Sequence, residues 1–446
     1  MNKKQAIQLS DHFTYGKLLR FTLPSIAMMI FTSIYSVVDG FFISNYAGKT
    51  AFAAVNLVFP ALMILGTVGF MIGTGGSALV GKTLGEGDKK KASELFSLFI
   101  VTAFVLGIVI SVVGFIFLRQ LAKLLGADDS MIDYCVTYGR IIIIANPFFI
   151  LQMMFQSFFI TAEKPKLGLI STVSAGCANM VLDFLLVGVF GMGVTGAALA
   201  TAASQVAGGV IPLVYFLRPN TSLLKFTKFK FDFEAIIKAC SNGISELLSQ
   251  VSMSVVGILY NYQLMKYGGE NAVAAYGVLM YVSMIFSACF IGYVVGTAPV
   301  VSFNYGAENH EELRNLRKKS INLIVGCGFA MVALSWILST PLSKIFAGYD
   351  AELLEMTIAA FKIYSFAFLF MGMAIYGSSF FTALNNGLIS AIISVCRTVV
   401  FQVGTILVLP LFLGVEGIWY SIVVAEFLAM IVSVSLIVAK RKKYGY

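Results

Sequence analysis

Long apolar runs, separated by short segments rich in charge, glycine or proline, follow one another along the whole chain. Typical runs extend from Leu95 to Leu118 and from Tyr134 to Ile160. A helix needs about 20 residues, at a rise of about 1.5 Å each, to cross a hydrocarbon core of about 30 Å, and these runs are long enough. They lack the alternation of apolar and polar residues typical of transmembrane β-strands. The pattern therefore predicts membrane-spanning α-helices.

Twelve such helices, named α1 to α12 in chain order, account for the apolar runs. Their predicted ranges are 17–45, 51–81, 95–118, 134–160, 167–190, 194–217, 236–266, 272–303, 319–340, 356–383, 388–412 and 416–438. Composition agrees, because only 12% of the residues are charged, against roughly 25% in soluble domains. The predicted fold class is all-α and integral to the membrane.

Lysine and arginine residues concentrate on one side of this arrangement. They occupy the N-terminal segment, the connections after α2, α6 and α8, and the C-terminus. Basic loops stay on the cytoplasmic side of a membrane, so both termini are predicted to be cytoplasmic. The net charge of +9 is then a consequence of membrane topology. Binding to nucleic acid is not predicted, because the chain has no basic soluble domain.

A single ungapped offset of 221 residues relates the two halves of the chain. It superposes Gly48 on Gly269, Thr161 on Thr382 and Gly193 on Gly414. Six helices return the chain to its starting side, so the halves should be parallel repeats around an axis along the membrane normal, as in many transporters. We predict two pseudo-symmetric six-helix bundles: an N-terminal lobe of residues 1–217, a connector of residues 218–235, and a C-terminal lobe of residues 236–446. A duplicated channel would need repeating rings of charge, and the intramembrane charges do not repeat.

Two carboxylates lie at similar depth within the first lobe. An ionisable group inside a bilayer costs about 3 kcal/mol, so it needs a partner, water or a function. Asp39 in α1 and Asp183 in α5 lie about 28 Å and about 25 Å from the inner boundary at helical rise, and Tyr35 and Asn179 lie one turn before them on the same faces. These four residues are predicted to bind a proton or a small cation. The alternative is that each carboxylate caps or packs at the outer interface.

The second lobe contains a different set of charges. The offset carries the two carboxylate positions to Tyr260 and Gly404, so cation coupling is predicted to be asymmetric. Glu246 in α7 is interpreted either as part of a wet cavity that attracts a cationic substrate or as a structural hydrogen-bonding group. Arg397 in α11 and Glu426 in α12 fall at comparable depth and are predicted to neutralise each other.

Enzymatic activity is not predicted, and no catalytic residue is assigned. His12 and His310 lie in hydrophilic segments away from acidic clusters and cysteines, which argues against a metal centre or a Ser/His/Asp hydrolase. Residues Gly76 to Thr83 formally match the phosphate-binding P-loop pattern. The match ends an apolar helix instead of following a strand, so close helix packing is the better interpretation.

The segments FTLPSIAMMIFTSIYSVVDGFFISNYAG, AFAAVNLVFP, GTGGSALVGKTLGEGDKKKA and NMVLDFLLVGVFGMGVTGAALAT, in that order, resemble the multidrug and toxic compound extrusion (MATE) family. The resemblance covers essentially the whole chain. It implies a monomeric antiporter of the bacterial cytoplasmic (inner) membrane that exchanges inward-moving H⁺ or Na⁺ for outward-moving, often cationic and amphipathic compounds. Its partners would be the lipid bilayer and a small-molecule substrate, with no cofactor beyond the coupling ion and no metal other than Na⁺ at the two carboxylates.

The resemblance also implies roles for individual residues. Cation coupling would fall to Tyr35, Asp39, Asn179 and Asp183, bending of α1 to Pro24, and contact with substrate to Thr201, Glu246 and Gln250. Glu246 resembles the α7 acid of one branch of the family, whereas the two aspartates resemble the other branch. The resemblance therefore does not decide whether H⁺ or Na⁺ is the coupling ion. A lipid-linked oligosaccharide flippase of the same superfamily is the second hypothesis. It would need several cationic residues around a cavity, and only Arg140, Lys238, Lys362 and Arg397 lie within helices.

Overall fold

The computed structural model describes residues 7–347 and 350–446, and within these ranges the regular structure is helical, with no β-strand. The first six helices are α1 Tyr15–Phe42, α2 Lys49–Gly85, α3 Lys89–Leu124, α4 Ile132–Thr161, α5 Pro165–Asp183 and α6 Gly193–Leu217. Helices α7 and α8 share the segment Phe233–Gly306, α9 is His310–Ala347, and α10 consists of Ala351–Tyr364 and Ala367–Ala383. Helix α11 begins with Gly387–Val395, and α12 ends the segment Gln402–Tyr444.

The number of membrane crossings follows from breaks in the longest helices. In the described ranges 9 helices are long and apolar enough to cross a membrane, and the bent pair that forms α10 adds a tenth. Phe233–Gly306 is interrupted at Gly269, which has a φ of 63°, and Gln402–Tyr444 is interrupted at Gly414, which has a φ of 58°. Each interrupted segment contains two spans. The all-α bundle of twelve transmembrane helices is therefore confirmed.

Several helices extend beyond their predicted ends into charged sequence. Helix α3, predicted from residue 95, begins at Lys89, where the Asp88 side chain accepts the Lys91 N–H at 2.9 Å. Helix α9, predicted from residue 319, begins at His310. Hydropathy marks only the part of a helix inside hydrocarbon, whereas backbone hydrogen bonding and capping continue the helix into water.

The backbone repeats at the same offset as the sequence. Gly48 and Gly269 have φ values of 92° and 63°, and Gly193 and Gly414 have φ values of 54° and 58°. These positive values, which glycine adopts without steric penalty, mark equivalent turns before α2, α8, α6 and α12. The turns support the internal repeat, while the division into lobes at residues 218–235 remains a prediction.

The two halves pack through glycines on α2, α7 and α8. A Cβ atom on Gly243 of α7 would overlap the Met71 carbonyl of α2, and one on Gly85 of α2 would overlap the Phe303 carbonyl of α8. The P-loop-like residues Gly76–Thr83 lie within α2, and a Cβ on Gly76 would lie 2.9 Å from the Phe99 ring. These glycines allow close helix contact, as the sequence indicated.

This contact lies toward one end of the bundle, named here the terminal face because both ends of the chain meet there. The N-terminal segment crosses it with Leu9 and Phe13 fully buried. The Leu9 N–H donates to Glu163 at 2.6 Å, and the Phe13 N–H donates to Glu312 at 3.0 Å. His12 Nδ1 lies 2.6 Å from the same Glu312, a single carboxylate 300 positions away in sequence. Folding brings together residues 300 positions apart, which local sequence cannot indicate.

Candidate functional site

Helices α1 and α5 each place one carboxylate immediately before a π-helical segment. Asp39 lies four residues before Ile43–Ala47, and Asp183 is the last residue before Phe184–Val189. A third π-helical segment, Cys396–Phe401, contains Arg397. Short π-helical segments occur frequently at functional sites, because they widen a helix and redirect its side chains. In this chain they accompany three of the intramembrane charges, Asp39, Asp183 and Arg397.

The carboxyl groups of Asp39 and Asp183 meet in the interior of the first half. They lie close enough to share a hydrogen bond when one is protonated, and Asp39 also lies close to the Thr201 hydroxyl. Asp183 is fully buried. Yet Asp39 Oδ1, both carboxylate oxygens of Asp183 and Thr201 Oγ1 have no well-formed hydrogen bond in the described structure. A fully buried carboxylate next to a partly buried one, both with unpaired oxygens, is unfavourable when both groups are ionised.

Hydroxyl groups of Tyr35, Tyr138 and Thr201 lie near the two carboxylates. Tyr35 interacts with Asp39, and Tyr138 of α4 interacts with both aspartates and with Thr201. The Tyr138 hydroxyl is buried and has no hydrogen-bond partner in the described residues, and the same holds for both amide atoms of Asn179. Carboxylate, hydroxyl and amide oxygens suit a hard cation such as Na⁺ as well as a proton. Sequence reasoning missed Tyr138, because nothing local distinguishes it from the other tyrosines.

Buried side-chain amides extend the polar interior of the first half toward the terminal face. Gln152 and Gln156 lie one turn apart on α4, and Gln205 lies one turn beyond Thr201 on α6. Each is buried and has an amide oxygen without a partner in the described residues. Gln152 also packs against Gly208 of α6. Amides within an apolar run were the signal that could have identified this surface from sequence.

Among the described residues, the repeat positions of Asp39 and Asp183 in the second half carry Tyr260 and Gly404 instead of carboxylates. Tyr260 occupies the repeat position of Asp39, and its hydroxyl lies 2.8 Å from Ser421 Oγ. Both residues are buried, and Ser421 also donates to the Ile418 carbonyl at 2.6 Å. The two hydroxyl groups therefore have hydrogen-bond partners within the protein and need no bound ion. The two halves thus differ, because the first half has a carboxylate where the second has a hydrogen-bonded hydroxyl.

Glu246 and Gln250 lie in the second half, apart from the aspartate pair. Gly243 of α7 packs against the Met71 carbonyl of the opposite half, and Glu246 follows three residues later on the same helical face. Glu246 is half-buried and Gln250 is exposed. Glu246 therefore lies one turn beyond the contact between the halves at Gly243. Pro24 is buried within a continuous α1, about four helical turns before Asp39.

Arg397 and Glu426 form the predicted ion pair. The Arg397 Nε donates to both Glu426 carboxylate oxygens, at 3.0 and 2.9 Å, and Gln402 Nε2 donates to one of them at 3.3 Å. Glu426 is fully buried, while the Arg397 side chain is 19% exposed. The prediction of mutual neutralisation is confirmed. Glu246 interacts electrostatically with the same arginine.

The profile of a known protein family matches a long stretch of each half of the chain. Residues 24–185 and 247–407 match the profile of the MatE family. The chain belongs to this family. MatE proteins are transporters, so the expectation of a multi-pass membrane transporter, and not an enzyme, is confirmed.

The similar proteins cover nearly the full length of the chain. The multidrug export protein MepA of Staphylococcus haemolyticus is 25% identical over 442 residues, covering 98% of this chain and 97% of that protein. MepA of Staphylococcus aureus strain MRSA252 is 23% identical over 445 residues, covering 99% and 98%.

Solved structures support the same fold. A MATE protein crystallised with MaL6 has a TM-score of 0.93 at 23% identity and covers 99% of each chain. An outward-facing multidrug resistance MATE transporter of the MOP superfamily has a TM-score of 0.92 at 23% identity, covering 100% of this chain and 99% of the other.

Proposed function

We propose that this protein is a cation-coupled antiporter of the bacterial cytoplasmic membrane that exports small amphipathic, often cationic compounds by alternating access. The observation that carries the proposal is the buried Asp39–Asp183 pair, whose oxygens lack well-formed hydrogen bonds. The multidrug export function of the MepA relatives supports the substrate class. The coupling ion is H⁺ or Na⁺, since the carboxylate oxygens and the hydroxyl groups near them suit either.

The coupling mechanism follows from the energetic cost of an exposed charge. An empty, ionised pair is stable only when the site is open to water, because dehydrating two carboxylates is costly. Binding of a cation reduces this cost and allows the halves to move between the two access states. The cation then moves inward with its gradient, and the substrate moves outward in the opposite step.

The arrangement of the helices supports an outward-open state in this structure. The halves are in contact at the terminal face, through α2, α7 and α8, and the basic segments there favour a cytoplasmic position for that face. The similarity to a solved outward-facing transporter agrees with this assignment. Substrate would occupy the space between the halves and contact Thr201, Glu246 and Gln250, with the lipid bilayer as the other partner and the monomer as the working unit.

The flippase hypothesis is not favoured by the placement of the intramembrane cations. Arg140, Lys238 and Lys362 are exposed, and the Arg140 guanidinium lies 5.0 Å from the centre of the Phe115 ring. Arg397 is paired with Glu426. The four cations therefore do not form one basic cavity for a pyrophosphate group.

Transport measured in proteoliposomes tests the proposal. A fluorescent amphipathic cation is loaded on the substrate side, and efflux is driven by an imposed pH gradient or sodium gradient in separate experiments. We expect Asp39→Asn and Asp183→Asn each to abolish gradient-driven transport. Asp133→Asn is the matched control, because Asp133 is exposed on the surface near Arg119. Gradient-driven transport that persists in both aspartate variants would contradict the assignment.

A further inference from the structure

The segment before α1, residues 7–14, lies across the terminal face and is named here the strap. Leu9 and Phe13 of the strap are fully buried. Both side chains belong to the apolar cluster that contains Leu313 and Leu316 of α9. The strap is covalently part of the first half, yet its apolar side chains lie in a cluster that extends into the second.

Hydrogen bonds within the strap give it a defined shape. The Asp11 carboxylate accepts the Gln8 N–H at 3.0 Å and pairs with Lys17 of α1 at 2.9 Å. The Asp11 N–H donates to the Gln8 carbonyl at 3.2 Å, and Thr14 accepts the Lys17 N–H at 3.3 Å as the cap of α1. The strap is therefore a folded turn joined to the first turn of α1.

Among the described residues, five hydrogen bonds connect the strap to the second half. Glu312, at the start of α9, is buried and accepts the Phe13 N–H at 3.0 Å. His12 Nδ1 lies 2.6 Å from the other Glu312 oxygen. The remaining bonds run from the Asn304 amide to the Leu9 carbonyl at 3.4 Å, and from the Asn315 amide and the Lys319 ammonium to the Phe13 carbonyl at 2.9 and 2.6 Å. Bonds that involve a carboxylate or an ammonium are stronger than those between neutral groups, so this attachment is firm.

A single hydrogen bond connects the strap to the helices that follow α1 in the first half. The Leu9 N–H donates to Glu163 Oε1 at 2.6 Å, and Glu163 lies in the turn between α4 and α5. Within residues 7–347 and 350–446, no second hydrogen bond joins the strap to α2 through α6 or to the turns between them. Leu9 thus bridges the halves, with its N–H bonded to the first and its carbonyl bonded to Asn304 of the second.

Opening of the terminal face would move the turn between α4 and α5 away from α8 and α9. The strap cannot keep both sets of bonds during such a movement. One bond would break on the side of the first half, against five on the side of the second. The lower cost lies at Glu163, because fewer donors and acceptors lose their partners there.

We propose that the strap holds the terminal face closed, and that opening breaks the Leu9–Glu163 hydrogen bond while the strap stays with the second half. This role goes beyond the export of a substrate, and it rests on the proposed alternating access. Loss of the Glu163 carboxylate should then change the balance between the two access states. A purely structural contact would change only the stability of the fold.

The backbone at Glu163 allows its side chain to be removed without strain. Its φ of 59° lies in the left-handed region, which glycine adopts without steric penalty. Glu163→Gly therefore removes the carboxylate and leaves the turn intact, whereas Glu163→Gln keeps an acceptor for the Leu9 N–H. Asp88→Ala is the matched control, because the Asp88 carboxylate accepts the Lys91 N–H at 2.9 Å within the first half alone.

Three distances measured by double electron–electron resonance follow the strap and the two halves. Spin labels are attached, two at a time, to Ser10→Cys in the strap, Lys166→Cys in the first half and Lys442→Cys in the second. All three positions are exposed, and the six native cysteines are first replaced by alanine. The pair at 166 and 442 reports opening of the terminal face, and the two pairs with position 10 report which half the strap follows.

We expect Glu163→Gly to raise the ratio of long to short distances between positions 166 and 442 about tenfold, as loss of one hydrogen bond to a charged group predicts. Glu163→Gln and Asp88→Ala should match the wild type within about twofold. In the open population the distance from position 10 to position 166 should lengthen, while the distance from position 10 to position 442 stays the same.

A glycine variant that matches the wild type, or an Asp88→Ala control that opens equally, overturns the proposal. A strap that follows the first half overturns it as well. If the glycine variant does not fold, Glu163→Asn replaces it, because asparagine tolerates the same φ and its shorter side chain withdraws the acceptor from Leu9. The same outcomes then support or overturn the role of the strap.

The distances are measured without substrate or ion gradient, so the strap and the coupling site are tested separately. Altered distances in Glu163→Gly, together with gradient-driven transport that persists in Asp39→Asn and Asp183→Asn, would support the strap and contradict the coupling assignment. Unaltered distances, together with loss of transport in the aspartate variants, would do the reverse.

Discussion

Substitution of Gly243 by alanine should disturb the contact that closes the terminal face. A Cβ atom at this position would overlap the Met71 carbonyl oxygen and would lie 2.8 Å from its carbon and 3.1 Å from the Gly75 nitrogen. All three atoms belong to the backbone of α2, so no side chain can rotate away. The two helices would have to separate until these contacts reach ordinary van der Waals distances.

The size of the effect follows from the cost of overpacking, about 1–3 kcal/mol. Alanine also stabilises a helix by about 1 kcal/mol relative to glycine, but α7 is helical in either access state, so this gain cancels from the equilibrium between them. The closed terminal face should therefore lose about 5-fold to about 150-fold in population relative to the open one. Gly257 lies on the same helix with no atom near its added Cβ, which makes Gly257→Ala the matched control.

Distances across the terminal face provide the measurement. Spin labels at Lys90→Cys and Glu311→Cys, both exposed positions in opposite halves, report the separation by double electron–electron resonance. We expect Gly243→Ala to shift the distribution toward longer distances and to slow export, while Gly257→Ala leaves both unchanged. If the two alanine variants behave alike, the glycine contact does not control closure and the reasoning is refuted.

Two further predictions concern stability. Glu426→Gln leaves the Arg397 charge without its partner and should lower the free energy of unfolding by about 3 kcal/mol. Adding Arg397→Gln should restore most of this loss, because no unpaired charge then remains. Thermal unfolding in detergent measures both effects, and a further loss of stability in the double variant would contradict the prediction. Burial raises the pKa of Glu163, in the turn after α4, although the Leu9 N–H partly opposes this. Because the folded protein then binds this proton more tightly than the unfolded chain, the contribution of Glu163 is greatest at low pH and falls as pH rises through its folded pKa. Glu163→Gln, which keeps an acceptor for Leu9, should flatten the dependence of the melting temperature on pH above the ordinary pKa of 4.5, and an unchanged slope would refute the assignment.

Local sequence was sufficient for the features that depend on a single helix. Each span must satisfy its own backbone hydrogen bonds in lipid, so a long apolar run determines a transmembrane helix regardless of its neighbours. The regular rise of a helix then determined the depth of Asp39 and Asp183, which the structure brings together. The offset of 221 residues likewise identified Gly48 and Gly269 as equivalent positions, and both have positive φ.

The tertiary structure alone decided which side chains face each other. In a membrane protein the lipid-facing and core-facing sides of a helix are both apolar, so the sequence does not specify its rotation or its neighbours. For this reason Tyr138 beside the aspartates, and Glu312 beside His12, could not be found from sequence. The depth of Arg397 predicted its pairing with Glu426, but only the packing of α11 against α12 brought the Arg397 Nε within hydrogen-bonding distance of both Glu426 oxygens. Hydropathy determined how deep each charge lies, and helix packing determined what surrounds it.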